Sequence, residues 1–168
     1  MLVRVTSGGA GRPRFLASLL RILRATQLCS LSSVTPAGTA HINTAYFAYS
    51  RELELYILSD PTSRHAQNLR VNRTAAATVF DSTQRWGGSD RGAQLFGRCE
   101  VTRGAARTKA EEVYASRFRD YRSWRDGLRP EAVAHAWQFY RLVPRTVTIL
   151  DEKEFGSGIF VTARFGRP

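Results

Sequence analysis

The sequence predicts a mainly β domain in which six or seven antiparallel strands form a closed barrel and helices pack on its outside. Three observations support this fold class. Strand-like stretches are joined by short turns, helical periodicity is confined to a few segments, and no internal repeat is visible. A chain of 168 residues can bury one core without disulfide or metal staples. We therefore expect a single domain over residues 15–168.

The first 25 residues divide into a tail and a helix. Residues 1–14 contain Ser7, Gly8, Gly9, Gly11 and Pro13 and are expected to form a flexible tail. From Phe15 to Ala25 the apolar side chains recur at helical spacing, with arginines on the opposite side. This segment is predicted to be an amphipathic helix.

Three strands follow as an antiparallel meander. They are predicted at Gln27–Thr35, His41–Tyr49 and Leu53–Leu58, with a turn at Pro36-Ala37-Gly38 after the first. A short helix is then predicted over Arg64–Val71.

The rest of the chain alternates strands with longer connections. The predicted elements are, in order, a strand at Ala75–Phe80, a polar loop at Asp81–Gly92, a strand at Ala93–Thr102, helices at Arg107–Tyr121 and Glu131–Phe139, and closing strands at Tyr140–Val143, Arg145–Leu150 and Ile159–Phe165. Pro144 is expected to mark a break or a sheet edge, because proline cannot donate to a strand ladder.

The chain is strongly basic, with a formal net charge of +11 and a pI of about 10.8. Almost every basic residue is arginine, since only Lys109 and Lys153 are lysines, and the arginines are spread over the whole length. This spread favours coding bias and solubility, with a few arginines available for a phosphate-bearing ligand or an acidic substrate. It does not favour nucleic-acid binding, because no basic helical stripe is present.

Cysteine and histidine spacing predicts no metal site. Cys29 and Cys99 lie far apart in strand-like runs and are expected to be buried, reduced thiols. His41, His65 and His135 stand in three unrelated local contexts.

The sequence gives no sign of an export signal or a membrane span. The apolar stretch from Phe15 to Leu23 is interrupted by Arg21 and has helical rather than continuous hydrophobicity. We expect a cytoplasmic protein that does not interact with membranes.

The segment from Leu55 to Leu69 has the strongest chemical signal. A strand ends at Ser59, hydroxyl residues follow, and a helix begins with Arg64 and His65. Basic side chains oppose the macrodipole at a helix N-terminus unless an anion joins them. Free backbone N–H groups, Ser59, Ser63 and the guanidinium would together form a phosphate pocket. An ordinary capped helix with a solvated arginine is the alternative that the residues leave open.

The element order and three short motifs resemble the pyridoxamine-phosphate-oxidase-like flavin-binding split barrels, over roughly residues 15–160. In that superfamily a Ser/Thr-Arg-Lys element after the third strand grips the FMN phosphate, and Ser63-Arg64-His65 occupies that place here. The closest resemblance is to a bacterial subfamily with a T-R-H-A-Q element. Its R-G-x-Q motif is matched by Arg91-Gly92-Ala93-Gln94, and its N-x-x-Y motif by Asn43 and Tyr46.

The resemblance implies a homodimer that binds FMN between its subunits. The residues implied to contact FMN are Asn43, Thr44, Ala45 and Tyr46 at the isoalloxazine ring, Leu58 and Ser59 at the ribityl chain, and Ser63, Arg64 and His65 at the phosphate. Gln94, from the same subunit or its partner, would approach the polar edge of the flavin. His65 replaces the usual lysine, which could weaken phosphate binding near neutral pH.

The implied activity is a flavin-dependent oxidation or reduction of a small organic substrate. The cofactor supplies most of that chemistry, and the sequence shows no triad, carboxylate pair or metal motif, so no catalytic residue is assigned. His41 and Trp86 are the candidates for substrate contact, Trp86 as part of a lid; a structural histidine and an exposed loop ring are the alternatives. The segment Phe155–Phe160 lacks the substrate-phosphate residues of true pyridoxamine-phosphate oxidases, which argues against vitamin B6 oxidation.

Two other functions remain open. The same barrel can hold the deazaflavin F420 in a reductase. It can also bind flavin or haem without catalysis, with His41 or His65 as the iron ligand. Nucleic acid is the least favoured partner, because no recognition helix is apparent.

Overall fold

The structure, a computed structural model, describes residues 2–128 and 137–166. Its strands are β1 (Leu2–Ser7), β2 (Leu28–Val34), β3 (Ala40–Tyr49), β4 (Leu55–Ser59), β5 (Thr74–Phe80), β6 (Arg91–Val101), β7 (Gln138–Asp151) and β8 (Phe160–Gly166). Its helices are α1 (Arg12–Ala25), α2 (Arg64–Val71), α3 (Ala105–Arg117), α4 (Tyr121–Asp126) and α5 (Glu152–Phe155).

Six of these strands close into an antiparallel barrel. The sheet order is β1-β8-β7-β4-β3-β2-β5-β6, and β6 also pairs with β7, so strands β2 to β7 form a ring. The long strand β7 pairs with β4 through its first half and with β8 through its second half, which splits the barrel along β7. The predicted fold class, a mainly β split barrel with peripheral helices, is confirmed.

The barrel interior is filled by apolar side chains from the strands and from α1. Phe15, Leu19 and Leu23 of α1 are completely buried, as its amphipathic pattern predicts. Burying each such side chain stabilises the fold by roughly 1.5–3 kcal/mol. A smaller aromatic cluster, with Tyr114 of α3 and Phe139 of β7, packs outside the barrel.

The flexible tail expected over residues 1–14 is corrected for the described part of that segment. Residues 2–7 form β1, which pairs with β8, and α1 begins at Arg12. Val3 is buried, and Gly8 adopts a positive φ of 83° where a Cβ would lie 2.8 Å from the carbonyl oxygen of Phe160. Glycine is therefore needed here for a close turn rather than for flexibility.

Pro144 does not break the closing strands into two. Strand β7 runs through it, because Pro144 lies opposite Gly97 at a β-bulge where the register shifts. The missing N–H is tolerated at such a bulge.

Two helix predictions change. The helix predicted over Arg107–Tyr121 divides into α3 and α4, because Phe118 leaves the helical conformation and packs edge-on against Tyr46. Of the helix predicted over Glu131–Phe139, residues 131–136 lie outside the described residues. Phe139 belongs to β7 and pairs with Leu58.

Cys29 and Cys99 are buried free thiols, as expected. Burial raises the pKa of each thiol to about 12. Within the described ranges, no cluster of three or more His, Cys, Asp or Glu side chains could hold a metal ion. No helix there is both long and apolar enough to cross a membrane.

Candidate functional site

The start of α2 is an open helix N-terminus with a basic first turn. Asp60 accepts hydrogen bonds from the amide and the hydroxyl of Thr62, at 2.6 and 2.7 Å, and so shapes the turn that follows β4. Ser63 occupies the N-cap position, but its hydroxyl donates to the Asp60 carbonyl at 2.7 Å and does not cap the helix. The first turn has no acidic residue, and Arg64 is exposed. Positive potential is therefore left available at this end.

His65 turns away from solvent into the barrel end. Only 9% of its surface is exposed, and its Nε2 lies 2.7 Å from Ser59 Oγ and 3.2 Å from Ser63 Oγ. Its ring also meets Tyr140 edge-on, with centroids 6.3 Å apart. Burial lowers the pKa of His65, and the charge of nearby His41 lowers it further. His65 therefore orients the two hydroxyls and is disfavoured as a cation, unlike the lysine that it replaces.

The first half of β3 places its predicted residues on alternating sides. His41, Asn43 and Ala45 are half-buried, whereas Thr44 and Tyr46 are exposed. The side-chain oxygen of Asn43 is buried and has no hydrogen-bond partner among the described residues. It is an acceptor that lacks a donor, which is unusual for a buried polar atom.

A polar network that the sequence analysis missed joins β3 to α2. His41 Nδ1 lies 3.4 Å from Ser33 Oγ, and Asn68 of α2 donates to the same oxygen at 3.0 Å. Asn68 is almost fully buried, so this contact fixes α2 against β2. Asn68 is a polar residue on the apolar side of α2, and this position was the sequence signal that could have revealed the network.

The structure therefore brings one group of predicted residues together. Ser59, Ser63 and His65 are in direct contact, and Arg64 precedes His65 on the open side of α2. His41 is close enough to His65 to affect its charge. Leu58, half-buried on β4, lies next to Ser59 and packs on the outer aromatic cluster.

Gln94 and Trp86 lie elsewhere in the subunit. Gln94 is exposed on β6 between Thr78 of β5 and Thr148 of β7, in a shallow cavity of about 220 Å³ whose lining includes no residue of the α2 group. Trp86, in the loop between β5 and β6, is fully exposed. Neither side chain is joined to Ser59, Ser63 and Arg64 within one chain.

Gln94 belongs to a wide outer face of the barrel. A polar row crosses five strands there, and its members are Thr44, Ser30, Thr78, Gln94 and Thr148. Large apolar side chains flank this row and are 45–67% exposed, namely Ile42, Phe80, Phe96 and Phe160. An exposed apolar surface of this extent is typical of an interaction site.

A buried carboxylate that the sequence analysis also missed supports the Gln94 strand. Asp151 is completely buried and accepts from Ser18 at 2.7 Å, from Arg21 at 3.0 Å and from Arg91 at 3.2 Å. Burial alone would raise the pKa of Asp151, but the hydrogen bonds from Ser18 and Arg21 outweigh it and leave the pKa lowered. Arg91, which opens the R-G-x-Q motif, is thus anchored below Gln94.

A family model described as pyridoxamine 5'-phosphate oxidase matches residues 16–150. No curated protein matches the chain. Three similar solved structures illustrate the fold. A FAD-binding protein from Mesorhizobium loti is 20% identical, with a TM-score of 0.59 over 99% of this chain and 100% of the other.

The second is a haem-binding protein from Mycobacterium smegmatis, 15% identical, with a TM-score of 0.64; 87% of this chain matches 56% of that one. The third is a protein from Clostridium acetobutylicum related to general stress protein 26, of the pyridoxinephosphate oxidase family. It is 10% identical, with a TM-score of 0.63 over 90% of this chain and 95% of the other. At these identities the likeness shows the fold alone.

Proposed function

From the membership of this chain in the pyridoxamine 5'-phosphate oxidase family, we propose that it is an FMN-binding oxidoreductase whose homodimer holds the cofactor phosphate at α2. The observation behind this proposal is the uncapped start of α2, with Arg64 exposed beside the Ser59 and Ser63 hydroxyls. Backbone N–H groups at a helix N-terminus and a forked guanidinium suit a phosphate group.

In the proposed phosphate site Arg64 supplies the positive charge, and the neighbouring side chains donate neutral hydrogen bonds or hold the donors in place. Arg64 would donate charged hydrogen bonds to the phosphate, and Ser59 would donate a neutral one. Ser63 would donate to the phosphate only by turning its hydroxyl away from the Asp60 carbonyl. His65, which is buried and whose pKa is lowered, holds those hydroxyls in place. This division of roles departs from the Arg-Lys pair of the resembling superfamily.

The ring site would lie along the first half of β3. The buried oxygen of Asn43 lacks a donor, and the polar edge of a flavin carries an N–H that could supply one. Ala45 lies on the same side of this strand as Asn43, whereas Thr44 and Tyr46 face the other side and would meet the ring through backbone groups. Leu58 lies next to Ser59 on the side of the ribityl chain. The donor set and the unpaired acceptor both fit a flavin.

The second subunit would complete the site. Gln94 lies on the outer face, apart from the α2 group of its own chain, and exposed Ile42, Phe96, Phe80 and Phe160 surround it. Burying this face against a second copy would remove apolar surface from water and could bring the partner's Gln94 to the flavin edge. A lone subunit is therefore expected to bind FMN poorly.

A bound flavin would supply the electron-transfer chemistry. The protein would bind and orient the cofactor, exclude water and position a small organic substrate. His41 and Trp86 are proposed to contact that substrate, His41 from β3 and Trp86 from the loop of a neighbouring subunit. No side chain is assigned as a catalytic acid or base, and vitamin B6 oxidation is not proposed.

Haem binding is the second candidate, and one observation favours it. His41 is half-buried, and its Nε2 has no hydrogen-bond partner among the described residues. An imidazole nitrogen that has no hydrogen-bond partner can serve as an iron ligand. His65 is less suited, since Ser59 and Ser63 already engage its Nε2.

The test is an absorption spectrum of the purified protein followed by a fluorescence titration with FMN. A flavin spectrum at about one FMN per chain supports the proposal, whereas a Soret band or an F420 spectrum would replace FMN. Arg64→Ala should weaken FMN binding roughly tenfold or more, because a hydrogen bond to a charged group contributes about 1.5–3 kcal/mol. Arg70→Ala, at the other end of the same helix, should leave the affinity unchanged. Equal affinity in both variants would refute the phosphate assignment.

A further inference from the structure

A second, wider groove of about 680 Å³ lies on the barrel where β7 passes from β4 to β8. Its floor is apolar and consists of Val143, Pro144 and Phe165. Its charged walls are contributed by the β3–β4 turn, by Arg73 just before β5, and by strands β6 and β7. None of its lining residues belongs to the α2 site or to the outer polar row.

Every carboxylate of this groove already has a basic partner. Glu100 accepts from Arg73 at 2.9 Å and from Arg141 at 3.1 Å. Glu52 accepts from Lys109 at 2.9 Å, and Glu54 lies 3.6 Å from both Lys109 and Arg141. The acidic side chains are therefore neutralised within the groove.

Two guanidiniums of the groove have no such partner. Arg98 and Arg145 both line it and are exposed, and neither forms an ion pair or hydrogen bond with another side chain in the described ranges. The four lining arginines and Lys109 exceed the three glutamates by two positive charges. These two arginines account for that excess.

The local geometry of β7 places Arg145 at a β-bulge. Phe96 pairs with Thr146 and Gly97 pairs with Pro144, so Arg145 is the extra residue of a β-bulge. A bulge redirects its side chain and often lies beside a functional site. The strands approach so closely there that a Cβ on Gly97 would lie 2.0 Å from the Val143 carbonyl oxygen, which permits only glycine.

We propose that this groove binds a phosphate monoester dianion, with Arg98 and Arg145 on the phosphate. Two unpaired guanidiniums match a dianion better than a single carboxylate, and the guanidinium fork suits phosphate oxygens. The apolar floor would receive the organic part of the ester, and the volume suits a small metabolite. This site is independent of the flavin proposal, because the two share no residue.

The test is isothermal titration calorimetry of the full chain with phenyl phosphate at constant ionic strength. It is made in an Arg64→Ala background, so that the α2 site does not contribute. We expect about one phenyl phosphate per chain, and at least tenfold weaker binding when Arg98→Gln and Arg145→Gln are added. Arg24→Gln with Arg119→Gln removes the same charge from exposed positions that do not line the groove and should change the affinity less than twofold.

Two further probes define the ligand. Weaker binding of inorganic phosphate than of phenyl phosphate would support an ester whose organic part uses the floor. Inorganic phosphate that binds as tightly would overturn the ester assignment and leave the free ion as the ligand. The proposal is overturned if neither probe binds, if benzoate binds as tightly, or if the control pair loses as much affinity. The single variants Arg98→Gln and Arg145→Gln, both at exposed positions, provide the same comparison should the double variant fail to fold.

Discussion

At the scale of single residues, His65 shows how burial changes the role of a side chain. It lies in a position where the resembling superfamily has a lysine, yet it faces Ser59, Ser63 and Tyr140 instead of solvent. The neutral imidazole can share one hydrogen with two hydroxyls, whereas an imidazolium would be costly in this environment.

This burial predicts a pH dependence of stability. Because the pKa of His65 is lowered in the folded protein, the unfolded chain binds a proton more readily. The stability that neutral His65 confers is thus fully present above the unfolded pKa of about 6.5 and is lost as pH falls through the lower folded pKa. Urea midpoints should fall between about pH 7.5 and pH 5.5 in the wild type and fall less in His65→Asn. An identical fall in both proteins would contradict this assignment.

Arg117 illustrates a basic residue with a structural role. Its guanidinium stacks on the rings of Phe47, at 4.7 Å, and Tyr49, at 5.0 Å, and donates to the carbonyls of Leu23 and Thr26. It therefore joins α3 to the end of α1.

Replacing Arg117 by lysine should destabilise the fold by about 1–2 kcal/mol, because an ammonium lacks the planar fork that stacks and donates in two directions. The measurement is equilibrium urea unfolding. Arg119→Lys, at an exposed position two residues later, is the matched control and should change the unfolding free energy by less than about 0.5 kcal/mol. Equal effects would mean that the stacking contributes nothing specific.

At the scale of elements, the bulge between β6 and β7 is the most constrained point of the barrel. Gly97 has a backbone carbonyl, that of Val143, where a Cβ would stand. We predict that Gly97→Ala destabilises the protein by about 3 kcal/mol or prevents folding, since the strands would have to separate.

Gly92 on the same strand provides the comparison for Gly97. A Cβ there would meet its nearest neighbour, the Val79 carbonyl oxygen, at 3.5 Å, which is ordinary contact. Gly92→Ala should therefore remain within about 1 kcal/mol of the wild type in thermal or urea unfolding. If Gly97→Ala kept the stability of the wild type, the two strands could separate at the bulge at little cost in free energy.

Elements with local signals could be predicted from the sequence, and those fixed by distant partners could not. The apolar spacing of α1 and the meander β2 to β4 depend on neighbouring residues alone. Strand β1 looks like a tail because its glycine-rich continuation resembles a linker, and its pairing partner lies at the other end of the chain. Strand β7 continues through Pro144 only because Gly97 faces it.

The candidate site also combines residues that local signals predict with residues whose placement depends on distant partners. Ser63 and Arg64 at the start of α2 follow from the turn and helix signals around them. The burial of His65 depends on Tyr140, which lies 75 residues later, so no local pattern could reveal it. The separation of Gln94 from α2 is likewise a property of the closed barrel.

At the scale of the whole molecule, the outer face determines the assembly that we expect. Ile42 and Phe96 stand on either side of the sheet strip formed by β3, β2, β5 and β6 and are 67% and 45% exposed. We predict a dimer, and Ile42→Asp with Phe96→Asp should convert it to a monomer, because buried charges oppose association.

The mass in solution, by sedimentation or light scattering, checks this dimer. Val71→Asp, at a position on α2 that is 70% exposed and outside this face, should leave the dimer intact. FMN affinity should fall together with dimerisation if the site is shared. A monomeric variant that still binds FMN at full affinity would separate the two proposals.

The reactivity of the two buried thiols reports how often the barrel opens. Cys29 on β2 and Cys99 on β6 are buried inside the ring, on the two strands that flank β5, and burial raises the pKa of each to about 12, so a thiol reagent cannot reach a thiolate while the ring is closed. Their modification rate should therefore follow the fraction of molecules that open, and it should slow when a ligand holds the closed form. Modification at a rate independent of added denaturant would instead reveal a local path to the core that leaves the ring intact.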